Sequence, residues 1–538
     1  MQRSFFSILL GLAAAYAAQP TTTVDLGYAE YEGSVNNQTG NIEFLGIRYA
    51  AAPTGSLRWR EPQQPQKVSG IQQANTHPDT CWQTGAGIAP VTPFPTRNGH
   101  LQKRDSPLPS EDCLFLNIAT PANGNGSLPV VVWIHGGGYM AGTAFGFEPD
   151  DLIHDAGGGV VGVVIQYRLG VFGFLSSQKV HDGGVLNAGL LDQRFALQWV
   201  QSHISKFGGD PSKVTIWGES AGAGSVLQHI VADNGNTQPP LFHAAITSST
   251  FLPSQYAFND PFQEQLFSEV VNGTGCSSAE DVLKCLRQVD VTTLQEVNGS
   301  VGNSSFFGTF IFVPVVDGQL IPRRPTQILR DGRVNGKAFL AMTNTFEGAL
   351  FVDPGTASSV QVPEYLVNLF PRFGKAQVQE GTALYAKQGA PIDQAIGIMG
   401  ESIFICPTYL LLRAFKGKGF KGEFAIPPGG HAQDIVYYFP SFPSEMIPGG
   451  VPPPFNNPTF INNFAQSFLN FAMNLDPNVK WDPENTVPRW DRWNEGGVTE
   501  MLFNKTDSGE PIFHSIQTSS DLLKRCNFWE SVSETTAQ

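Results

Sequence analysis

Three side chains far apart in this sequence have the chemistry needed for acyl transfer. Ser220 lies in Gly218-Glu219-Ser220-Ala221-Gly222, a Gly-x-Ser-x-Gly pentapeptide. A serine hydroxyl is a weak nucleophile unless a base removes its proton and an acid orients that base. Where such a serine joins a strand to a helix, the acid and then the histidine follow it in the chain. Glu347 comes shortly after the apolar run 337–343, behind Asn344-Thr345-Phe346, and is the candidate acid. Of the ten histidines, only His431 and His514 lie beyond it. His431 stands in a loop shaped by Pro and Gly after the run 422–426, whereas His514 lies inside a predicted strand, so His431 is the preferred base. The oxyanion needs donors as well. His135-Gly136-Gly137-Gly138 closes an apolar run, and the N–H groups of Gly137 and Gly138, with that of Ala221, are the expected oxyanion hole. His135 itself is expected to be structural.

The pentapeptide alone is a weak signal. With 57 glycines in 538 residues, composition gives about 0.4 chance matches to such a pattern. Its surroundings carry the weight. Residues 213–217 read as a strand and 221–232 as a helix that begins at once, so Ser220 falls on a turn with almost no loop. Small Gly218 and Gly222 allow a sharp turn. Residues 128–138 read as a buried strand stopping at three glycines, and 160–168 as another. Residues 187–209 have helical spacing and end at Gly208-Gly209. Runs at 244–247, 337–343 and 422–426 are further strands, the last taken as the final one. Strands alternating with helices predict an α/β fold with a mostly parallel central sheet covered by helices on both faces.

The start of the chain reads as a secretory signal over residues 1–18. It has Arg3, an apolar stretch from Phe5 to Ala15, and small residues for cleavage after Ala17 or Ala18. The stretch is too short to span a bilayer, and no later run of 18 uninterrupted apolar residues follows. One domain over 19–538 is expected, because no linker, charge block or repeat divides the chain. Sequons begin at Asn37, Asn125, Asn272, Asn298, Asn303 and Asn504, which fits secretion. An oxidising compartment makes disulfides the default for the six cysteines, 81, 113, 276, 285, 406 and 526. Their spacing leaves the connectivity open, and the lack of a C-x-x-C pair argues against a metal site. A net charge of −14 with scattered basic residues argues against nucleic acid as a partner. Lys103-Arg104 reads as an exposed loop pair, with dibasic processing as the alternative.

The chain resembles the type-B carboxylesterase/lipase family, which also holds the cholinesterases and secreted fungal lipases. The resemblance rests on SEDCLFLN (110–117), HGGG (135–138), YRLGVFGFL (167–175), NAGLLDQRFALQWV (187–200), FGGDP (207–211), GESAG (218–222), FVPVVDG (312–318), Glu347-Gly348 and HAQDI (431–435). It implies an α/β-hydrolase fold, ester hydrolysis without a cofactor, and the triad Ser220–Glu347–His431. It also implies disulfides Cys81–Cys113 and Cys276–Cys285, and leaves Cys406 and Cys526 paired or free. Glu111 and Arg168 look like the family's buried ion pair, and Asp112, Asp192 and Asp434 like loop-orienting residues. Ser248 aligns with a serine behind the acid, and Ser249 replaces the family's usual glycine.

The resemblance also bears on substrate. Cholinesterases hold the ammonium on aromatic faces. The corresponding places here fall near Lys103 and at Leu350, which argues against choline esters. Phe310 aligns with a pocket position, and the phenylalanines from 306 to 312, with Phe351, can supply apolar walls for a neutral acyl group. Lipase relatives use the loop between the first two cysteines as a helical lid. Five prolines between 90 and 109 oppose a long helix here, so an esterase is favoured and a triacylglycerol lipase with the 81–113 loop as lid is the alternative. A non-catalytic adhesion member of the fold is the remaining alternative, opposed by the complete set of Ser, Glu, His and glycine donors.

Overall fold

The strand Leu128–Ile134 shows how this sheet is built. Val130, Val132 and Ile134 enter one core and Val131 and Trp133 the other. Alternate side chains of a strand point to opposite faces, so an unbroken apolar run fits only a sheet covered on both sides. The computed structural model describes residues 22–91, 109–122, 126–443, 455–494 and 496–538. The signal segment, most of the 82–112 loop with Lys103-Arg104, and Asn125 lie outside them.

Among the described residues the main sheet has eleven strands. In chain order they are β1 (Ser34–Val35), β2 (Ile42–Arg48), β3 (Phe115–Thr120), β4 (Leu128–Ile134), β5 (Val161–Ile165), β6 (Gly209–Glu219), β7 (Ala244–Ser248), β8 (Ala338–Asn344), β9 (Gly419–Phe424), β10 (Thr499–Lys505) and β11 (Pro511–Gln517). Across the sheet the order is β11-β10-β9-β8-β7-β6-β4-β5-β3-β2-β1. From β5 to β10 the neighbours run parallel, and beyond them on both sides they run antiparallel. The fold is that of the α/β-hydrolases.

The run at 422–426 is therefore not the last strand. The β10–β11 hairpin follows it and closes one edge. Its outer strand buries little, so it lacks the apolar run that marks the central strands. Helix α1 (Ala188–His203) and helix α2 (Ala221–Gly235) pack on one face. Helix α3 (Pro391–Gly400) runs through a five-residue π turn, Glu401–Ile405, into α4 (Cys406–Ala414). This stretch is long and apolar enough to cross a membrane, but 83% of its apolar window is buried inside the protein, as in a core helix. Helix α5 (Pro458–Asn474) covers the second face, with Phe468 stacked on Trp217 and Phe464 on Tyr438. Helix α6 (Ser520–Ser531) lies against α4.

Three disulfides join Cys81 to Cys113, Cys276 to Cys285 and Cys406 to Cys526. The third answers the question left open for the last two cysteines. Asn37 and Asn272 are exposed, and Asn303 and Asn504 half-buried. Asn298 is a correction to the sequon reading. It is fully buried, its Oδ1 accepts from the Val171 amide at 2.9 Å, and its Nδ2 donates to Gln295 at 3.1 Å. A glycan has no room there once the chain has folded, because the same amide pins the residues after β5.

The expected Glu111–Arg168 pair is also corrected. Glu111 accepts a two-pronged contact from Arg58, at 2.6 and 2.7 Å. Arg168 makes the same contact to Asp192, at 2.7 Å for each prong. Asp112 pairs with Arg48 at 2.6 Å. The Arg168–Asp192 pair is the most enclosed, with side chains 4% and 0% exposed. Removing one partner of such a pair strands a buried charge. We expect Arg168→Met to lower stability by about 3–5 kcal/mol, with much of the loss recovered in Arg168→Met/Asp192→Leu. Guanidinium unfolding of the three proteins checks this, and equal destabilisation by the single and double variants would refute it.

Candidate active site

The site begins where β6 runs into α2. Ser220 sits between them with φ 55° and ψ −123°, a strained conformation for a residue with a side chain. The flanking glycines are needed for closeness of approach. A Cβ on Gly222 would fall 1.9 Å from the carbonyl oxygen of Ile134, and one on Gly218 would fall 2.4 Å from the Gly222 carbonyl carbon. The turn is thus pressed against the end of β4. The Ser220 amide donates to the Ser248 carbonyl at 3.0 Å, tying the elbow to β7.

Immediately after β4 come the three glycines. Gly137 and Gly138 have φ of 102° and 65°. A Cβ on Gly138 would strike the Phe310 ring at 2.0 Å, and one on Gly137 would strike the Ala141 carbonyl at 2.2 Å. Among the described residues, no group accepts a hydrogen bond from the N–H of Gly137 or Gly138. The N–H of Ala221 belongs to the first turn of α2, where backbone donors lack helical partners. His135 is buried, and its Nδ1 meets the Gly136 carbonyl at 2.9 Å. Burial lowers its pKa to about 4, so the ring is neutral and donates. It stacks on Tyr167 and supports the loop.

Beyond β8 the chain turns through Thr345 and Phe346 into a short 3₁₀ turn, Glu347–Leu350. The Glu347 carboxylate is fully buried. One oxygen accepts from the Asn344 amide at 2.7 Å, and the other meets His431 Nδ1 at 2.6 Å. His431 lies in the loop after β9, and that loop is tied back to the acid loop by Phe346 N–H donating to the Gly429 carbonyl at 2.8 Å. Rings of Phe404 and Phe351 close on the imidazole, at 4.6 and 5.0 Å. His514 sits on the exposed strand β11, across the sheet from the elbow.

His431 Nε2 has no hydrogen-bond partner. The Glu219 carboxylate, from the residue before Ser220, is 3.2 Å away, but without hydrogen-bond alignment, so the contact is one of charge. Burial opposes the charged imidazole, yet the carboxylates of Glu219, Glu347 and Asp434 outweigh it and hold His431 above the usual histidine value. Burial likewise pushes Glu219 up to about 8, against the pull of His431. Asp434 is fully buried and is also raised by burial. It accepts from Asn344 at 3.0 Å and from the Tyr438 hydroxyl, which in turn meets Ser248 Oγ at 3.1 Å. Ser249 has φ 56°, which explains why glycine suits that position, and its hydroxyl accepts from Asn344 at 3.1 Å.

The structure therefore brings Glu347 and His431 into contact, and sets both beside the Ser220 elbow and the glycine loop. Phe310 packs on that loop. Phe351 packs on the histidine, and Leu350 is half-buried just before it. Glu219 and Phe404 escaped the sequence reasoning. Glu219 was visible inside the pentapeptide, but its partner is 212 positions away and only the fold reveals it. Phe404 lies in an apolar helix with no motif. Chemically, this arrangement offers a hydroxyl on a strained turn, an oriented imidazole with one free nitrogen, and unspent backbone donors. Among the described residues no cluster suited to a metal ion exists.

Sheet order, elbow and covering helices define an α/β-hydrolase. Comparison with known proteins narrows this. The Carboxylesterase family model matches residues 20–529, and the chain belongs to that family. It is a carboxylic ester hydrolase. It is 29% identical to the carboxylesterase patB of Penicillium expansum, over 98% of both chains. It is 33% identical to the secreted triacylglycerol lipase LIP1 of Gibberella zeae, over 89% of this chain and 85% of that one. The crystal structure of Aspergillus niger EstA superposes with a TM-score of 0.83 at 30% identity, covering 97% of this chain and 99% of that one.

The Glu219 contact yields a signed expectation. With His431 as the proposed base, the imidazole must be neutral to accept a proton, so kcat/KM is expected to fall as pH drops through its pKa. The Glu219 charge raises that pKa, so Glu219→Gln should move the acid limb of the pH profile to lower pH. A limb that stays in place or moves upward would show that this contact does not set the basicity of His431.

Proposed function

We propose that this protein is a secreted serine esterase that cleaves neutral esters with apolar acyl groups through Ser220, Glu347 and His431. The observation that carries the reading is the bonding of His431, with Nδ1 held by a buried carboxylate and Nε2 left open beside the elbow serine. In this reading His431 takes the Ser220 proton as the hydroxyl attacks the ester carbonyl. The oxyanion forms against the N–H groups of Gly137, Gly138 and Ala221, each worth about 3 kcal/mol of barrier. Protonated His431 then donates to the leaving alcohol, while Glu347 holds the tautomer and stabilises the imidazolium. Water repeats the sequence on the acyl-enzyme.

Apolar surroundings support the substrate class. A narrow chamber beside the glycine loop is lined by Phe251, Phe310, Leu369, Met399 and Ile403, with Gly308 at one wall. It offers an acyl chain burial worth about 25 cal/mol per Å². Secretion is supported by the leader-like first residues, the three disulfides and the exposed sequons at Asn37 and Asn272. A second reading, a lipase with the 81–113 loop as lid, is favoured by Ile88 and Val91. They stand 58% and 47% exposed where that loop leaves the described structure. One relative is also named as a triacylglycerol lipase. Activity on tributyrin below and above its solubility separates the two, since only a lid-bearing lipase gains sharply at the emulsion surface.

Ser220→Ala and His431→Ala should each abolish hydrolysis of p-nitrophenyl butyrate, since such residues act as a unit, while His514→Ala keeps it. Loss in His514→Ala with activity retained in His431→Ala would reverse the choice of base. With the acyl group fixed as butyryl, kcat/KM for a neutral butyl ester should exceed that for the choline ester at least tenfold, about 1.4 kcal/mol. Equal turnover of the choline ester would remove the case for neutral substrates.

A further inference from the structure

The helix behind the histidine changes pitch beside the site. Residues Glu401–Ile405 form a π turn between α3 and α4. Such turns are rare and cluster at functional sites. Two of this turn's carbonyls are taken from outside the helix. Leu252 N–H donates to Ile403 at 2.9 Å, and the Gln538 side-chain amide donates to Ser402 at 2.8 Å.

The same segment touches both halves of the His–Glu pair. Gly400, just before the turn, meets the acid loop backbone to backbone, and a Cβ there would fall 2.8 Å from the Gly348 nitrogen and 3.4 Å from Glu347 Cβ. On the other side of that contact, a Cβ on Gly348 would fall 2.0 Å from the Ile396 carbonyl. Phe404, within the turn, packs on the His431 ring and on Phe351 and Phe251. A cavity of about 510 Å³ lies along the acid loop, bounded by Thr345, Phe346, Glu347, Gly400 and Glu401. On that side, close backbone contact with α3 is the packed support the acid loop has.

The turn is in turn gripped by the C-terminal segment. Glu401 is 6% exposed. Arg525 of α6 grips it with two prongs at 2.7 Å each, and the Tyr385 hydroxyl donates to it at 2.7 Å. Two-pronged Arg–carboxylate contacts fix geometry as well as energy. Beside them Cys526 is bonded to Cys406. The disulfide already holds α6 to the helix, so the Arg525–Glu401 contact is not needed for attachment. Its planar fork instead fixes the angle at which the π turn meets the site.

We propose that Glu401 is a positioning residue for ester hydrolysis, setting the π turn so that Phe404 aligns His431 while Gly400 holds Glu347. The proposal rests on the Ser220–Glu347–His431 reading. Small misplacements of reacting groups are costly, about 100-fold for 1 Å. The test compares wild type, Glu401→Gln and the charge-swapped Glu401→Arg/Arg525→Glu. Active sites are counted with a fluorophosphonate that labels Ser220. Glu401→Gln should lower kcat per labelled site by about tenfold or more, leave KM within about twofold, and move the acid limb to lower pH as the Glu347–His431 contact loosens. Partial recovery of kcat and of the limb in the swap is expected. A purely structural role would reduce the number of labelled sites and leave kcat per site and the pH limb unchanged, and that result overturns the proposal. If Glu401→Gln does not fold, Tyr385→Phe removes one bond to the same carboxylate without stranding a charge. It should lower kcat per site about threefold with the same pH shift, and wild-type values there also overturn the proposal. Failure of wild-type Ser220 to take the label would instead refute the underlying reading.

Discussion

The contact between Gly222 and the Ile134 carbonyl governs this structure. There the first turn of α2 lies so near the end of β4 that no Cβ fits between them. The approach forces Ser220 into its strained conformation and holds its hydroxyl at the carboxyl edge of the sheet. It also brings the glycine loop after β4 beside the serine, because that loop leaves the strand α2 is pressed against. In the proposed mechanism, nucleophile and oxyanion donors thus share one backbone contact. Neither depends on a flexible side chain to reach the other, which is the condition for preorganised donors to act at no cost of rearrangement.

Charge imposes the second constraint. Three carboxylates, Glu219, Glu347 and Asp434, surround one buried imidazole. The structure treats them differently. Glu347 accepts from a backbone N–H and meets His431 Nδ1. Asp434 has Asn344 and Tyr438 as donors. Glu219 has an oxygen with no hydrogen bond at all, and burial pushes it toward the neutral acid. Its charge therefore depends on that of His431, 3.2 Å away. When the imidazole gains a proton, as the proposed mechanism requires, the neighbouring Glu219 becomes easier to ionise. In that reading Glu219 is a counter-charge for the imidazolium, at the nitrogen opposite Glu347.

How much of this the sequence discloses depends on the kind of contact. The central strands were legible because they are buried on both faces and read as unbroken apolar runs, as at 128–134. The β10–β11 hairpin was not, since its outer strand buries little and shows no such run. Glycines that admit a neighbouring backbone leave a fixed mark, so Gly218, Gly222 and Gly137-Gly138 pointed to the elbow and the loop. The glycine after Glu347 belongs with them, its reason being the Ile396 carbonyl. Ion pairs were less legible. Arg58, Glu111, Arg168 and Asp192 are all visible as charges, yet only the packing of loops decides who pairs with whom. A sequon is shorter still and ignores burial altogether, which is how Asn298 came to be counted among the sequons that fit secretion.

The chamber walls were the least legible part, and the reason is physical. Phe251, Phe310, Leu369 and Ile403 come from four distant segments and line the chamber together. None is required by a backbone conformation or a near contact of carbonyls, so none needs a fixed residue type or a motif. Ser220 and His431 are anchored differently, in backbone approaches and buried hydrogen bonds that tolerate little change. A change at Phe310 alters the room for an acyl group, but it also removes the ring pressed on Gly138. Phe251 packs on Tyr139, the residue after Gly138, and on Phe404, and Ile403 lies within the π turn. In the proposed reading the acyl chain meets side chains while the elbow is held by backbone contacts, so one family can hold esterases and lipases on a common elbow.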